Sequence, residues 1–225
     1  MVSYWRDLAG ELEIIVTREC LWGITMWTPS TVGYSSMEHL KETCLGCNKC
    51  GLRFGARQVV FGEGNLSAEL MFVGEGPGKQ EDEQGQPFVG AAGTLLDKIF
   101  EAAGIERKEV FIGNVVKCRP PNNRFPTAEE VSACKGYLEA QIGFIMPSII
   151  VCLGALATKT LINPEARITR IRGQWFEING IKIMPTYHPA ALLRDPSKKR
   201  PVWEDFKRLA VEYSNYSNKQ LTLDF

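Results

Sequence analysis

Four of the chain's seven cysteines fall into two pairs, Cys47 with Cys50 and Cys118 with Cys134. Two thiolate pairs brought together by folding form a site for a soft metal, zinc or an iron-sulfur cluster, whereas a single Cys-x-x-Cys is equally a redox pair, a metal half-site or chance. In E-T-C-L-G-C-N-K-C-G-L-R, Cys44 stands at the same spacing from Cys47 as Cys47 does from Cys50, so the choice of first pair stays open on spacing. Cys20, in an apolar stretch, and Cys152, in S-I-I-V-C-L-G, read as core thiols. The odd count and an N-terminus without a basic flank and small-residue cleavage site argue against a disulfide framework and for a reducing, cytoplasmic setting.

A second set of chemical groups emerges from the elements that must carry it. Four apolar runs read as buried parallel strands: 69–75, 110–117, 148–154 and 181–188. Helical stretches alternate with them. Residues 91–103 place Leu95, Leu96, Ile99 and Phe100 on one face before Gly104; Thr127 and Glu130 form a capping box for a helix closed by Pro147; 155–162 and 203–213 supply two more. Asn179-Gly180 marks a hairpin between 174–178 and the last strand. This alternation implies an α/β fold with a parallel sheet covered on both faces. Ligands of such sheets bind beyond the carboxyl ends of the strands. Those ends are Glu75 with Gly76, Asn114, Gly154 and His188, which brings a carboxylate, an amide and an imidazole to one crevice.

The loop G-E-G-P-G-K-Q-E-D-E-Q-G-Q-P-F-V-G, which starts at Gly74, is too long and acidic for a dinucleotide fingerprint, and no Gly-Lys-Ser/Thr makes it a Walker loop. Its glycines let backbone amides approach a ligand. Phe88, between Pro87 and Gly90, is either core packing or a platform for a flat ring.

Several long segments together resemble the family 4 uracil-DNA glycosylases, the iron-sulfur branch of that superfamily. They are V-V-F-G-E-G-N, V-G-E-G-P-G-K-Q-E-D-E-Q-G-Q-P-F-V-G-A-A-G-T-L-L-D, N-V-V-K-C-R-P-P-N-N-R-F-P-T-A-E-E-V-S-A-C and P-T-Y-H-P-A-A-L-L-R, and the similarity runs from about Met37 to about Leu209. The resemblance implies a three-layer αβα sandwich with a central four-stranded parallel sheet, a 4Fe-4S cluster and excision of uracil from DNA. It selects Cys47, Cys50, Cys118 and Cys134 as ligands and leaves Cys44 spare.

It also implies roles for individual residues. Glu75, Gly76 and Pro77 line the uracil pocket and position water. Phe88 stacks on the flipped base, Asn114 reads the imide edge, and His188 donates to a uracil carbonyl. Glu81 is the pocket-wall acid that excludes the thymine methyl. Residues 189–194 press on DNA, with Leu192 or Leu193 as wedge and Arg194 on phosphate, and Arg119 and Arg124 face DNA from the loop between cysteine ligands. Gly76 stands where the best-known branch of the superfamily has a water-orienting aspartate, which leaves Glu75 as the candidate base. No lysine stands where a Schiff-base nucleophile is evident, so a monofunctional glycosylase is expected. A related branch that crosslinks to DNA through a histidine in an inserted basic loop is set aside, because only His39 and His188 are present and no such insert follows the second strand.

Composition sets ordinary bounds. The 225 residues carry 26 basic and 26 acidic side chains and are 44% apolar, which favours a large core without a membrane span and gives no global charge signal for nucleic acid. Local basic patches remain at Arg167, Arg170 and Arg172 and at Arg194 with Lys198, Lys199 and Arg200. The expected organisation is an N-terminal extension (1–35), a glycosylase domain (36–213) and a tail (214–225), acting as a monomer. The tail N-K-Q-L-T-L-D-F resembles a truncated sliding-clamp motif anchored by Gln220, Leu223 and Phe225, lacking one aromatic and offset by one residue. Two other classes compete: an iron-sulfur-stapled nucleic-acid-binding module without catalysis, and a redox enzyme, which would need a second cofactor fingerprint that the chain does not show.

Overall fold

Short apolar runs punctuated by glycine, proline and asparagine become the strands of one mixed sheet. The computed structural model describes residues 27–216 and the two-residue strand 14–15. The strands are β1 (Ile14–Ile15), β2 (Glu63–Gly64), β3 (Leu70–Gly74), β4 (Phe111–Asn114), β5 (Ile149–Leu153), β6 (Trp175–Ile178) and β7 (Ile181–Thr186). The helices are α1 (Met37–Leu45), α2 (Leu52–Gly55), α3 (Lys79–Gln84), α4 (Ala91–Ala102), α5 (Ala128–Ile145), α6 (Ala155–Leu161), α7 (Ile168–Ile171), α8 (Pro189–Arg194) and α9 (Lys199–Ser214).

The sheet order is β1-β6-β7-β5-β3-β4-β2. Strands β7, β5, β3 and β4 are mutually parallel, as expected, but the sheet is wider than four strands. Antiparallel β2 extends it beyond β4 and antiparallel β6 beyond β7, giving six strands besides the short β1 alongside β6. Strand β6 enters through the Asn179-Gly180 turn, whose φ values of 54° and 76° are those of a tight hairpin. Strand β2 is too short for any hydrophobic period to reveal.

Alternate side chains of each central strand enter two cores. Met71, Val73, Ile150, Cys152 and Ile183 pack with Leu40, Leu138, Ile142 and Leu161, from α1, α5 and α6. Leu70, Phe72, Val151, Leu153 and Met184 pack with Leu96, Phe100, Phe206 and Leu209, from α4 and α9. The parallel strands are therefore buried on both faces, as their continuous apolar runs require. Trp27 is buried and donates from Nε1 to Leu161 O at 2.8 Å, which anchors the chain leading into α1.

Two expected boundaries shift. Strand β4 ends at Asn114, yet Val115 and Val116 still donate to Gly74 O and Glu75 O at 3.0 and 3.1 Å, so pairing continues irregularly toward the cysteine loop. Helix α9 begins four residues earlier than expected, with Pro201 in its first turn, where its missing N–H costs nothing. Thr127 and Glu130 form the capping box of α5 as anticipated.

Candidate active site

The strand ends open onto one cleft of ≈ 270 Å³ that gathers Glu75, Gly76, Pro77, Glu81, Phe88, Asn114, Arg124, His188 and Arg194. Asn114 closes β4 and is 2% exposed, and its Oδ1 is buried without a hydrogen-bond partner. A buried acceptor left open costs free energy, about 1–3 kcal/mol, unless a ligand satisfies it. Asn114 lines the cleft and its Oδ1 is thus an unsatisfied acceptor within the wall.

Close approach at the strand ends depends on glycine. A Cβ on Gly74 would stand 2.4 Å from Asn114 Oδ1 and 2.6 Å from Phe88 Cζ, so only glycine lets the amide and ring meet there. Gly154 has φ +94°, and a Cβ on it would lie 2.9 Å from His188 Cβ. The Phe88 ring lies 5.5 Å from the His188 ring at 30°. Phe88 itself adopts φ 54°, a left-handed backbone rare for an aromatic.

Two side chains hold that segment, Arg107, which the sequence did not single out, and Glu81, expected in the pocket wall and found there. Arg107 donates to Pro87 O at 2.7 Å and pairs with Glu63 and Asp97 at 3.0 and 2.8 Å. Glu81 accepts from Val89 N and Gly90 N at 3.1 and 2.8 Å through Oε1, and from Gly78 N at 3.1 Å through Oε2. It borders the cleft, but its carboxylate is committed to bracing the start of α3 against the Phe88 loop. The segment read as a plain loop thus contains a helix.

His188 Nδ1 accepts from Ala190 N at 3.1 Å, so the neutral ring carries its proton on Nε2. Burial, reinforced by the Arg194 charge, pushes its pKa down to about 4 against a weaker opposing effect of Glu81. The imidazole is thus a neutral hydrogen-bond donor at physiological pH. Burial raises the pKa of Glu75, and Arg194 partly counteracts this. The site holds the desolvated Glu75 carboxylate, a neutral imidazole, an unpartnered amide acceptor and the exposed Arg194 guanidinium, beside the Glu81 carboxylate and the Glu130-bound Arg124 already engaged in the wall.

Behind the cleft, Cys44, Cys47, Cys50, Cys118 and Cys134 surround one small space with Lys49, Arg53, Lys117 and Tyr137. All its metal-binding donors are sulfur, with neither carboxylate nor imidazole in the lining. Backbone N–H groups of Lys49 and Lys117 point to Cys47 Sγ and Cys134 Sγ at 3.4 and 3.3 Å. Burial, with neighbouring sulfurs adding to it, pushes the Cys118 thiol up to about 12, so ionising the set requires a compensating cation. These features fit a thiolate-bound iron-sulfur group. Among the described residues no group of three or more His, Cys, Asp or Glu is arranged to hold a single metal ion. Cys44 is fully buried beside the set, and Cys152 is buried within β5; Cys20 lies outside the described residues.

The residues expected to face DNA divide. Leu192 is 2% exposed and packed in the core, whereas Leu193 is 49% exposed, so the wedge expectation at Leu192 is corrected: α8 turns it inward. Arg194 is exposed at the cleft. Arg124 is bound bidentately by Glu130 at 2.7 and 2.8 Å, and Arg119 donates to Asn123 Oδ1 at 2.8 Å. Both arginines thus brace the loop between the cysteines. Gln220, Leu223 and Phe225 of the clamp-like tail lie outside the described residues.

Residues 61–207 match the model of the uracil DNA glycosylase superfamily. The chain belongs to that superfamily. Its relatives narrow the branch: it is 46% identical over 199 residues to a type-4 uracil-DNA glycosylase of Sulfurisphaera tokodaii, covering 84% of this chain and 90% of the relative. The type-4 enzymes of Thermotoga maritima and Archaeoglobus fulgidus are 47% and 42% identical, covering 76% and 77% of this chain and 92% of each relative.

Proposed function

We infer that the chain is a uracil-DNA glycosylase, a DNA-repair hydrolase of N-glycosyl bonds, and that the cleft receives uracil flipped out of DNA. The observation that carries the substrate reading is the unpartnered Oδ1 of Asn114. An imide N–H of uracil would satisfy it, whereas cytosine presents a lone pair at the same ring position and would leave two acceptors opposed. Base flipping costs a few kcal/mol, offset by stacking and phosphate contacts. Phe88 supports a stacking contact of about 1–3 kcal/mol. Leu193 and Arg194, on the exposed rim, support a wedge and a phosphate contact.

Bond cleavage leaves negative charge on the uracil ring. His188, held as a neutral Nε2 donor, is suited to a carbonyl oxygen on which that charge develops. Glu75 is the group best placed to orient water, since its carboxylate lines the cleft and Gly76 offers no side chain for the task. Cys47, Cys50, Cys118 and Cys134 would hold a 4Fe-4S cluster, with Cys44 as a buried neighbour. When bound, the cluster supplies a structural crosslink between the segment before α2 and the loop and helix after β4. A binding module without chemistry would have no use for a cleft that unites Glu75, Asn114 and His188.

Incubation with uracil-containing and matched thymine-containing DNA, followed by alkali, tests this reading. Strand cleavage only in the uracil substrate is expected, and equal or absent cleavage in both would refute it. Borohydride should trap no protein-DNA adduct if the enzyme is monofunctional.

A further inference from the structure

Lys117 is 1% exposed, an unusual position for an ammonium. It lies in V-V-K-C between Asn114 and Cys118, and its Nζ donates to Asn114 O at 2.8 Å and to Gln141 Oε1 at 2.6 Å. Gln141 is itself fully buried on α5 and donates through Nε2 to Phe61 O at 2.8 Å. Lys117 O accepts from Val60 N at 2.7 Å, and Lys117 N points to Cys134 Sγ at 3.3 Å. One residue thus joins the end of β4, helix α5, the chain segment after α2 and the sulfur set.

A buried cation is costly unless paired and hydrogen-bonded. Sheet packing alone would be met at lower cost by an apolar side chain. What the buried amine adds is a fixed direction: a 2.8 Å hydrogen bond to the carbonyl of the residue whose side chain carries the unpartnered acceptor.

We propose that Lys117 is a positioning residue that pins the backbone of Asn114 and thereby aims its amide at uracil, linking that aim to the cysteine-bearing helix α5. The proposal rests on the reading of the cleft as the uracil site. That reading is tested separately by uracil release from the wild-type protein.

The test is a double-mutant cycle of Lys117→Met with Asn114→Ala, measuring kcat and KM for uracil release beside iron content and thermal unfolding. Misplacing Asn114 should lower kcat of Lys117→Met about tenfold to a hundredfold, with KM and iron per chain near wild type. Added to Asn114→Ala, the same change should cost less than about twofold, because contacting groups that act together are not additive. Lys117→Arg should restore part of the rate. Wild-type kcat in Lys117→Met, or full multiplication of the two losses, would overturn the proposal. Should Lys117→Met fail to fold or lose iron, Gln141→Met decides. It keeps the ammonium but removes its side-chain acceptor, and it should show a smaller kcat loss that disappears in the Asn114→Ala background. An unchanged kcat in folded, iron-containing Gln141→Met would overturn the proposal equally.

Discussion

At the scale of single residues, the proposed chemistry rests on three side chains whose environments differ. Asn114 is buried with an unpartnered acceptor, His188 is half-buried and neutral with one nitrogen occupied, and Glu75 is desolvated beside a guanidinium. Because the folded His188 ring titrates near 4 rather than 6.5, the unfolded chain binds the extra proton between those values. The residue therefore removes stability as pH falls through that window. His188→Gln should flatten the fall in unfolding free energy between pH 6.5 and 4 by at most about 1.4 kcal/mol per pH unit. Denaturant titrations across the window check this, and an unchanged slope would contradict the desolvated, neutral imidazole. The kcat profile should likewise show no inflection near 6.5 from His188. These three residues were legible from the sequence because strand ends define the ligand edge. Lys117 left a subtler mark, a lone charge within an apolar run, which alone does not tell a buried lysine from an exposed one.

At the scale of elements, glycine and one arginine shape the cleft. Gly74→Ala would drive a methyl group into Asn114 and Phe88, and overpacking of this kind costs about 1–3 kcal/mol. We expect this variant to fold, with a lowered melting temperature, and to lose uracil release by at least about tenfold; wild-type activity would show that the ring and amide need not meet. Arg107→Met should free the Pro87 and Phe88 carbonyls and let Phe88 relax from its left-handed backbone. The predicted signature is a several-fold rise in KM, on the order of one lost stacking contact, read from steady-state kinetics. An unchanged KM would place the hold on Phe88 elsewhere. Element positions were readable where hydrophobic period and caps coincide, as at β3, β5 and α5. Helix α3 was not, because K-Q-E-D-E-Q has no apolar stripe and takes its start from the Glu81 carboxylate on Gly78 N. Strand β6 was legible through the Asn179-Gly180 turn that pairs it with β7, whereas the two-residue β2 was invisible as a sheet member, since its pairing with the distant β4 decides it.

For the whole molecule, the cleft and the sulfur-lined space adjoin the same chain, which runs from Asn114 to Cys134. Purified protein should contain about four iron and four sulfide per chain. Cys118→Ser should lower iron content and melting temperature together, and loss of iron with no change in melting would contradict a structural role. Resemblance to the type-4 enzymes supplied the expected roles of individual residues. Only the folded chain shows that five cysteines, not four, share the space, and that Leu192 points inward.

The central claim is that the cleft excises uracil. The measurement that tests it most directly is free uracil released per enzyme from DNA with a single uracil, under single-turnover conditions and with thymine- and cytosine-containing controls. The account predicts stoichiometric uracil, an abasic site in equal amount and no base from either control. Iron-replete wild-type protein that releases no uracil, or releases thymine or cytosine as readily, would contradict it.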